Sequence, residues 1–216
     1  MLKDGDFVRL EYEGFDDNGN LFDSTKGEVG KTLHGKEGPI LVVVGYYKLV
    51  KGLDDLVRTM KKGDENEASF GPDKGFGHRS KNLVKVMSVK DFEQHEVYPK
   101  PGTTIHVDTE QGRMFGVIKS FSGGRVMVDF NHPLADKPVK YKVKLVDVLG
   151  SSEEKLKALI EDINLSGTVT IKDGEAIIEL EKKGDDFELR KATINAMAKT
   201  FIPELKKIEI KEHKIS

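Results

Sequence analysis

The chain has 216 residues and a formal net charge of −2, with 35 basic and 37 acidic residues interspersed along it. This charge pattern indicates neither a nucleic-acid surface nor a membrane-binding surface. The lack of cysteine excludes disulfides, a thiolate nucleophile and a cysteine-ligated zinc site. No apolar run approaches the roughly 18 residues that cross a membrane, and the first residues lack the apolar core of a signal peptide. We therefore expect a cytoplasmic protein with no nucleic-acid or membrane partner.

The N-terminal part of the chain predicts two strands and a short helix. Residues 6–14 alternate apolar and charged side chains, as a half-buried strand requires, and the Asn-Gly pair at 18–19 signals a tight turn. The β-branched run at 40–44 is short and bounded by glycines, which favours a strand over a helix. Apolar residues then recur at i, i+3, i+4 and i+7, which predicts an amphipathic helix over about residues 53–61 that Gly63 ends.

The middle of the chain predicts a separate group of short strands. From about residue 84 to 130, β-like runs alternate with turns such as "EQGR" and "SGGR". We interpret this segment as a small β-module. The next run, "PVKYKVKLVDV" at 138–148, alternates again and is expected to return to the first sheet.

The C-terminal part, from about residue 151, predicts an independent α+β module. Ser151 and Glu154 have the spacing of a capping box before an amphipathic helix. The run "TVTIKDGEAIIELE" resembles a hairpin, and a helix over about residues 186–202 should end or kink at Pro203. The run "KKIEIKE" then predicts a last strand. No motif in this module points to a reaction.

The usual catalytic constellations are missing from the sequence. Paired aspartates at 16–17, 54–55 and 185–186 lie beside turn signals or on a polar helix face, where a solvated surface explains them. No nucleophile elbow, Walker loop or dinucleotide fingerprint is present. Six histidines are dispersed without metal-ligand spacing, so a structural or surface role is the simpler interpretation: His34, His78, His95, His106, His132 and His213. We expect no metal and no cofactor, and any catalysis must need few polar groups.

An ordered set of motifs nevertheless resembles a known family. Tyr12 is followed by "NLFDST", "GPILVVVGYYKLVKGLDDLVRTMKKGD", "GPDKGFG" and "NHPLADKPVKYKVKLVDV", which together span about 150 residues. This set resembles the FKBP-type peptidyl-prolyl cis-trans isomerases, specifically the long prokaryotic and archaeal type with an insert-in-flap domain.

The resemblance implies an α+β fold in three parts. An FKBP-like curved antiparallel half-barrel with one short helix would comprise residues 1–83 and 131–150. A small β-rich insert-in-flap domain would comprise residues 84–130, and a C-terminal α+β domain residues 151–216.

The resemblance also implies that a substrate proline enters between the helix and the sheet. Nine residues would line the pocket: Tyr12, Phe22, Asp23, Ile40, Leu49, Val50, Leu53, Phe76 and Tyr141. Leu53 would form the floor and Leu49 part of the wall, while the Val50 N–H would bind the substrate carbonyl. Asp23 would supply a local field, position another side chain or serve only the structure.

The pocket departs from the common family pattern at three of these positions. Leu53 stands where many members have Trp, and Ile40 where many have Phe. Phe76 stands where a Tyr hydroxyl often donates to a ligand. The pocket therefore offers fewer aromatic contacts and one donor fewer to macrolide inhibitors, but it remains apolar.

The same resemblance implies that the insert binds unfolded polypeptide as a chaperone. Its candidate contacts are Met114, Phe115, Val117, Ile118, Phe121, Met127 and Phe130. Ordinary packing in the core of the module is the alternative for each of them. His132, in "NHPLA", invites a catalytic assignment, although a structural hydrogen bond in the chain-return motif suits it better.

The sequence thus predicts a prolyl isomerase and folding chaperone whose partners are unfolded or proline-containing polypeptides. Because no bond to a nucleophile need form, an apolar pocket that binds the twisted amide better than either planar isomer suffices. The alternative is a non-catalytic holdase or scaffold that retains the fold. For the C-terminal domain, homodimerisation, orientation of the other domains and an extra substrate-binding surface all remain open.

Overall fold

The computed structural model describes residues 1–46, 48–94, 98–110, 112–182 and 184–213. They divide into two compact units, residues 1–69 with 140–216 and residues 70–139. His95 and the last three residues of the predicted C-terminal domain lie outside the described residues.

The strands and helices alternate irregularly along the chain. The strands are β1 (Phe7–Phe15), β2 (Leu21–Ser24), β3 (Ile40–Val43), β4 (Glu65–Phe70), β5 (Val84–Ser88), β6 (Thr104–Thr109), β7 (Gly112–Ser122), β8 (Arg125–Asp129), β9 (Val139–Leu149), β10 (Gly167–Lys172), β11 (Glu175–Glu181) and β12 (Lys207–His213). The helices are α1 (Gly27–His34), α2 (Lys51–Val57), α3 (Val89–Glu93), α4 (Ser152–Asp162) and α5 (Phe187–Phe201).

The first sheet is organised around β1. Its strand order is β2-β1-β9-β4, and β3 also pairs with β1. The strand β1 is antiparallel to β9 along its whole length, from Phe7 opposite Leu149 to Phe15 opposite Lys140. The strand β3 covers its first half and β2 its last residues. The predicted strand at 6–14 and the return of the run at 138–148 to the same sheet are both confirmed.

Two helices accompany this sheet, where the sequence predicted one. The predicted helix is α2, but it ends at Val57 because Thr59 and Met60 donate to carbonyls three residues back, which tightens the chain out of the α-helix. The unpredicted α1 contains glycines, which disfavour helices. One of them, Gly30, is required by packing, since a Cβ there would lie 2.6 Å from the Thr25 carbonyl.

Residues 151–213 form a three-stranded sheet with two helices. The order is β10-β11-β12, with β10 antiparallel and β12 parallel to β11. The hairpin between β10 and β11 turns at Asp173 and Gly174, both with positive φ, and the capping box of Ser151 with Glu154 begins α4. The helix α5 ends two residues before Pro203. These local predictions are confirmed.

The C-terminal residues share one hydrophobic core with the first sheet. Phe7, Leu41, Val43 and Leu149 belong to the same buried cluster as residues of α4, α5 and β11. The Phe7 and Phe201 rings meet edge to face at 6.4 Å between centroids. Among the described residues, the C-terminal part of the chain and the first sheet therefore share this buried cluster.

The second unit contains a four-stranded antiparallel sheet in the order β5-β8-β7-β6. This sheet confirms the β-module predicted from about residue 84. Its core combines residues of α3, β7 and β8: Phe92, Ile118, Val126 and Val128. A bulge in β7 between Ile118 and Ser120 changes the alternation, so Phe121 also packs against this core.

A polar network joins the two chain segments that lead into and out of this sheet. Asp129 is 3% exposed and pairs with Arg79, while Asn131 binds both the N–H and the carbonyl of Ser80. Burial by itself raises the pKa of Asp129, but hydrogen bonds from Asn131 and Arg79 outweigh it and hold the pKa below its usual value. Asp129 is therefore ionised, and its ion pair with Arg79 links the chain segments that enter and leave the sheet.

Candidate functional site

Three aromatic residues of the first unit form a cluster on one face of its sheet. The rings of Tyr12 and Tyr141 meet at 5.9 Å and those of Phe22 and Tyr141 at 5.7 Å, both edge to face. Tyr12 and Tyr141 share a face because Gly14, two residues after Tyr12, lies opposite Tyr141. The sequence-predicted residues Tyr12, Phe22 and Tyr141 are thus brought together.

A bulge in β2 explains how two adjacent residues reach this cluster. Asp23 lies opposite Gly14 and Leu21 opposite Phe15, so Phe22 is the extra residue on its strand. Neighbouring side chains on a regular strand point to opposite faces, and a bulge re-aims one of them. Phe22 can therefore contact Tyr141 although Asp23, next to it, also faces the cluster.

Gly14 lies beneath the cluster and is required by its close packing. A Cβ at this position would lie 2.9 Å from Cζ of Phe22 and 2.9 Å from Cε1 of Tyr141. Both distances are shorter than carbon atoms tolerate. Any other residue here must displace one ring or the other.

The Asp23 carboxylate receives contacts from two side chains. The Tyr12 hydroxyl donates to Asp23 Oδ2 at 3.0 Å, and His34 Nε2 lies 2.9 Å from Asp23 Oδ1. The side chains of Asp23 and His34 are only 23% and 19% exposed. His34 was not predicted as a site residue, because it lies on a separate element, α1, and no local motif links it to Asp23.

The two tyrosines of the cluster remain protonated. Burial raises the pKa of Tyr12 well above its usual value, and the charge of Asp23 and the hydrogen bond to it add to the effect. Burial, followed by the charge of Asp23, likewise raises the pKa of Tyr141. Neither group ionises near neutral pH, so both contribute neutral hydroxyls to the cluster.

The remaining predicted residues of the first unit lie on β3 and around the start of α2. Ile40 is 5% and Leu53 1% exposed, whereas Leu49 and Val50 are half-buried. Val50 is the N-cap of α2, and its carbonyl accepts from the first turn. Its N–H has no acceptor within the part of the chain that the structure describes.

Phe76 belongs to the second unit, where it stacks on His132. Their ring centroids are 4.2 Å apart and the planes are nearly parallel. His132 Nδ1 also accepts from the Leu134 N–H at 3.1 Å, and burial lowers the pKa of His132. The tautomer with its proton on Nε2 is thereby favoured, which fits the structural role expected for His132.

The apolar residues predicted on the insert are divided between core and surface. Ile118 is fully buried, which agrees with core packing, the alternative given for each of these residues. Phe121 and Phe130 are half-buried and pack against the same core, and Met114 and Val117 are also half-buried. Phe115 and Met127 are 63% and 40% exposed.

Val86, which was not predicted, extends the exposed set. It is 62% exposed and lies directly opposite Met127. By strand alternation Val86, Phe115, Val117 and Met127 share the face opposite the core. We call these four residues the outer strip. The core-side face carries a groove of about 640 Å³, which is lined by residues including Met87, Phe92, Ile105 and Val107.

None of the described helices is both long and apolar enough to cross a membrane. Three features together define the class of FKBP-type proteins with an inserted domain: a sheet accompanied by a short helix whose N-cap is Val50, an aromatic cluster around one carboxylate, and an inserted β-module. Comparisons with known proteins agree. The model of the FKBP-type peptidyl-prolyl cis-trans isomerase family matches residues 1–94, and that of the FKBP26 IF domain matches residues 85–134.

Individual relatives carry the same name. A short-type peptidyl-prolyl cis-trans isomerase of Methanocaldococcus jannaschii is 28% identical over 71% of this chain and 98% of that protein. The FKBP-type 16 kDa peptidyl-prolyl cis-trans isomerase of Escherichia coli K12 is 31% identical over 61% of this chain and 83% of its own length. The FKBP-type isomerase SlyD of Aeromonas hydrophila is 30% identical over 69% of this chain and 65% of its own length. The chain belongs to the FKBP-type peptidyl-prolyl cis-trans isomerase family.

Proposed function

We propose that the aromatic cluster and the start of α2 form the isomerase site. Tyr12, Phe22 and Tyr141 would enclose the substrate proline, with Ile40 as a further wall. Leu53 would be the floor and Leu49 part of the wall, and the Val50 N–H would donate to the substrate carbonyl. The assignment of Phe76 rests on the family resemblance alone. The single observation that carries the proposal is the buried aromatic cluster around Asp23.

An apolar enclosure of this kind suits rotation about an X-Pro bond. The barrier of about 18–20 kcal/mol arises from amide resonance, which also separates charge in the planar amide. Transfer from water into an apolar site penalises the planar form more than the twisted one, so the barrier falls. No nucleophile or proton transfer is required.

We assign Asp23 a positioning role. Its carboxylate would accept from the Tyr12 hydroxyl and so orient that wall of the site, and its charge would act on the substrate amide at low dielectric. His34 would then be a supporting residue that keeps Asp23 in place. This assignment distinguishes Asp23 from the solvated aspartates of the chain.

Replacement of Phe22 tests the site directly. We expect Phe22→Ala to lower kcat/KM for a proline peptide about tenfold, because the loss of an aromatic wall and its edge-to-face pair removes roughly 1.4 kcal/mol. Asp23→Ala should have a comparable effect. A protease-coupled assay and the refolding of a proline-limited protein would measure both.

Leu21→Ala is the matched control, since Leu21 lies beside Phe22 on β2 but is 43% exposed. It should retain wild-type activity. If Phe22→Ala and Asp23→Ala isomerise the peptide as fast as the wild type, the proposed site is wrong.

We also propose that the insert binds unfolded chains through the outer strip. Its exposed members, Val86, Phe115 and Met127, supply apolar side chains without involving the module core. Attachment of a client to the same chain as the isomerase site raises the effective concentration of its prolines.

Polar substitution of the outer strip should separate binding from isomerisation. We expect Phe115→Ser with Met127→Ser to weaken suppression of client aggregation several-fold while peptide isomerisation is unchanged. Leu189→Ser is the matched control, because Leu189 is 71% exposed but lies on α5. Met87→Ser tests whether clients bind instead in the groove on the core-side face of the sheet. If only Met87→Ser weakens binding, the outer strip is not the client surface.

The alternative of a non-catalytic holdase predicts a different combination. Suppression of aggregation would then persist in a chain that isomerises no proline peptide, and Phe22→Ala would change nothing.

We further propose a functional division into residues 1–83 with 131–150, residues 84–130 and residues 151–216. A cysteine-free chain suits the reducing cytoplasm, where we propose that it acts on unfolded or proline-containing polypeptides.

Homodimerisation through residues 151–216 is a further proposal. The strand β12 lies at the edge of its sheet, and a groove of about 260 Å³ is lined there by residues including Ala192, Ile208 and Ile210. Apolar side chains beside a sheet edge favour association with a second copy. A predominantly monomeric mass by light scattering would count against it.

A further inference from the structure

The segment between β3 and α2 is tied to α2 at both ends. We call residues 45–50 the 45–50 loop; Tyr47 within it lies outside the described residues. The Gly45 N–H donates to Asp54 Oδ1 at 2.9 Å. The Val50 carbonyl accepts from the N–H groups of the first turn of α2.

The middle of the 45–50 loop contacts the two C-terminal helices. Lys48 Nζ lies 2.6 Å from Asp162 Oδ2, and the Asp162 side chain is only 16% exposed. The ring of Tyr46 meets that of Phe201 at 4.4 Å between centroids. Asp162 is the last residue of α4 and Phe201 the last of α5, so both helices end at this loop.

The charges at the end of α4 indicate that this contact is more than incidental. Carboxylates at a helix C-terminus oppose the helix dipole, yet α4 ends in Glu161 and Asp162 and has no basic residue in its last turn. Each carboxylate instead pairs with a cation from the N-terminal part of the chain. Glu161 binds Arg9 of β1 at 2.7 Å, and Asp162 binds Lys48 of the 45–50 loop.

We propose that the C-terminal residues position the 45–50 loop for isomerisation, with Tyr46, Lys48 and Asp162 as positioning residues. The inference rests on the proposed function, in which Leu49 and Val50 of this loop contact the substrate. A displacement of about 1 Å is enough to break a hydrogen bond to the substrate carbonyl, and such misplacements are costly. The C-terminal helices thus act on the reaction without touching the substrate.

Removal of the Asp162 charge tests the inference. We expect Asp162→Asn to raise KM for a proline peptide about fivefold with kcat nearly unchanged, because the Val50 N–H would bind ground and transition states alike. Hydrogen exchange should accelerate at the amides of Tyr46 and Lys48, which donate to the carbonyls of Val43 and Tyr46. The charge swap Lys48→Asp with Asp162→Lys should restore the wild-type KM, because it restores the ion pair. If Asp162→Asn acted only by destabilising the fold, the swap would not restore KM.

Glu161→Gln is the matched control, since it breaks the neighbouring ion pair of the same helix end but leaves the loop untouched. It should leave KM and the exchange at Tyr46 and Lys48 unchanged. If Asp162→Asn and Tyr46→Leu both keep the wild-type KM while Phe22→Ala lowers activity, loop positioning is wrong and the pocket stands. If Phe22→Ala is also without effect, the proposed function and this inference both fail.

Discussion

Removal of residues 151–216 should destabilise the remaining chain severely. Phe7, Leu41, Val43 and Leu149 are at most 7% exposed and belong to a cluster made mainly of C-terminal residues. Full exposure of such a side chain costs about 1.5–3 kcal/mol, so exposure of all four costs roughly 6–12 kcal/mol. A domain is stable by only about 5–15 kcal/mol. We expect residues 1–150 alone to unfold near room temperature or to aggregate.

A matched pair of substitutions in the full chain tests the same shared core. Ile178 is fully buried and its neighbour Ile177 is 36% exposed on the same strand. Ile178→Ala should cost about 2–5 kcal/mol, and Ile177→Ala much less. Hydrogen exchange at amides of β1 and β9 should accelerate with Ile178→Ala. Unchanged exchange there, or wild-type stability of residues 1–150, would show that the first sheet does not depend on this core.

Gly14→Val should lower kcat/KM about a hundredfold while the chain remains folded. The new side chain must displace the rings of Phe22 and Tyr141, which each lie 2.9 Å from the position of its Cβ. Misplacement of catalytic walls by about 1 Å costs on the order of 10²-fold in rate. Valine suits a strand, so the backbone itself tolerates the change. Peptide isomerisation and thermal unfolding would be measured together.

Gly150→Ala is the control for this substitution, because a Cβ at Gly150 has no neighbour within 4 Å. A double-mutant cycle identifies the route of the effect. If Gly14→Val acts by displacing the Phe22 ring, Gly14→Val combined with Phe22→Ala should cost less than the sum of the two single changes. Full additivity, or wild-type activity of Gly14→Val, would place the reaction elsewhere.

Much of the architecture could be predicted because it is encoded over short stretches. Alternation marked β1 and β9, the Asp-Gly pair marked the turn between β10 and β11, and Ser151 with Glu154 marked the start of α4. Side-chain period and capping are properties of neighbouring residues. The length of α2 was less predictable, since its tightened last turn follows the packing of Met60, which is 3% exposed.

The candidate site was predictable only through its resemblance to a family. That resemblance supplied Tyr12, Phe22, Asp23 and Tyr141, which the structure brings into contact. It did not supply His34, because α1 was not predicted and the residue has no motif of its own. It also named Ile118 as a candidate client contact with core packing as the alternative, and the alternation of β7 directs that side chain into the core.

The sequence by itself determined most of the strands, the helices α2, α4 and α5, and the family, because periodicity, caps and ordered motifs are encoded by residues that follow one another along the chain. Only the tertiary structure decided that Phe22 is the bulged residue opposite Gly14, that His34 lies against Asp23, and that the C-terminal helices share a core with β1 and β3. These features join residues from 8 to almost 200 positions apart. Their energies depend on packing and burial, which no local pattern contains.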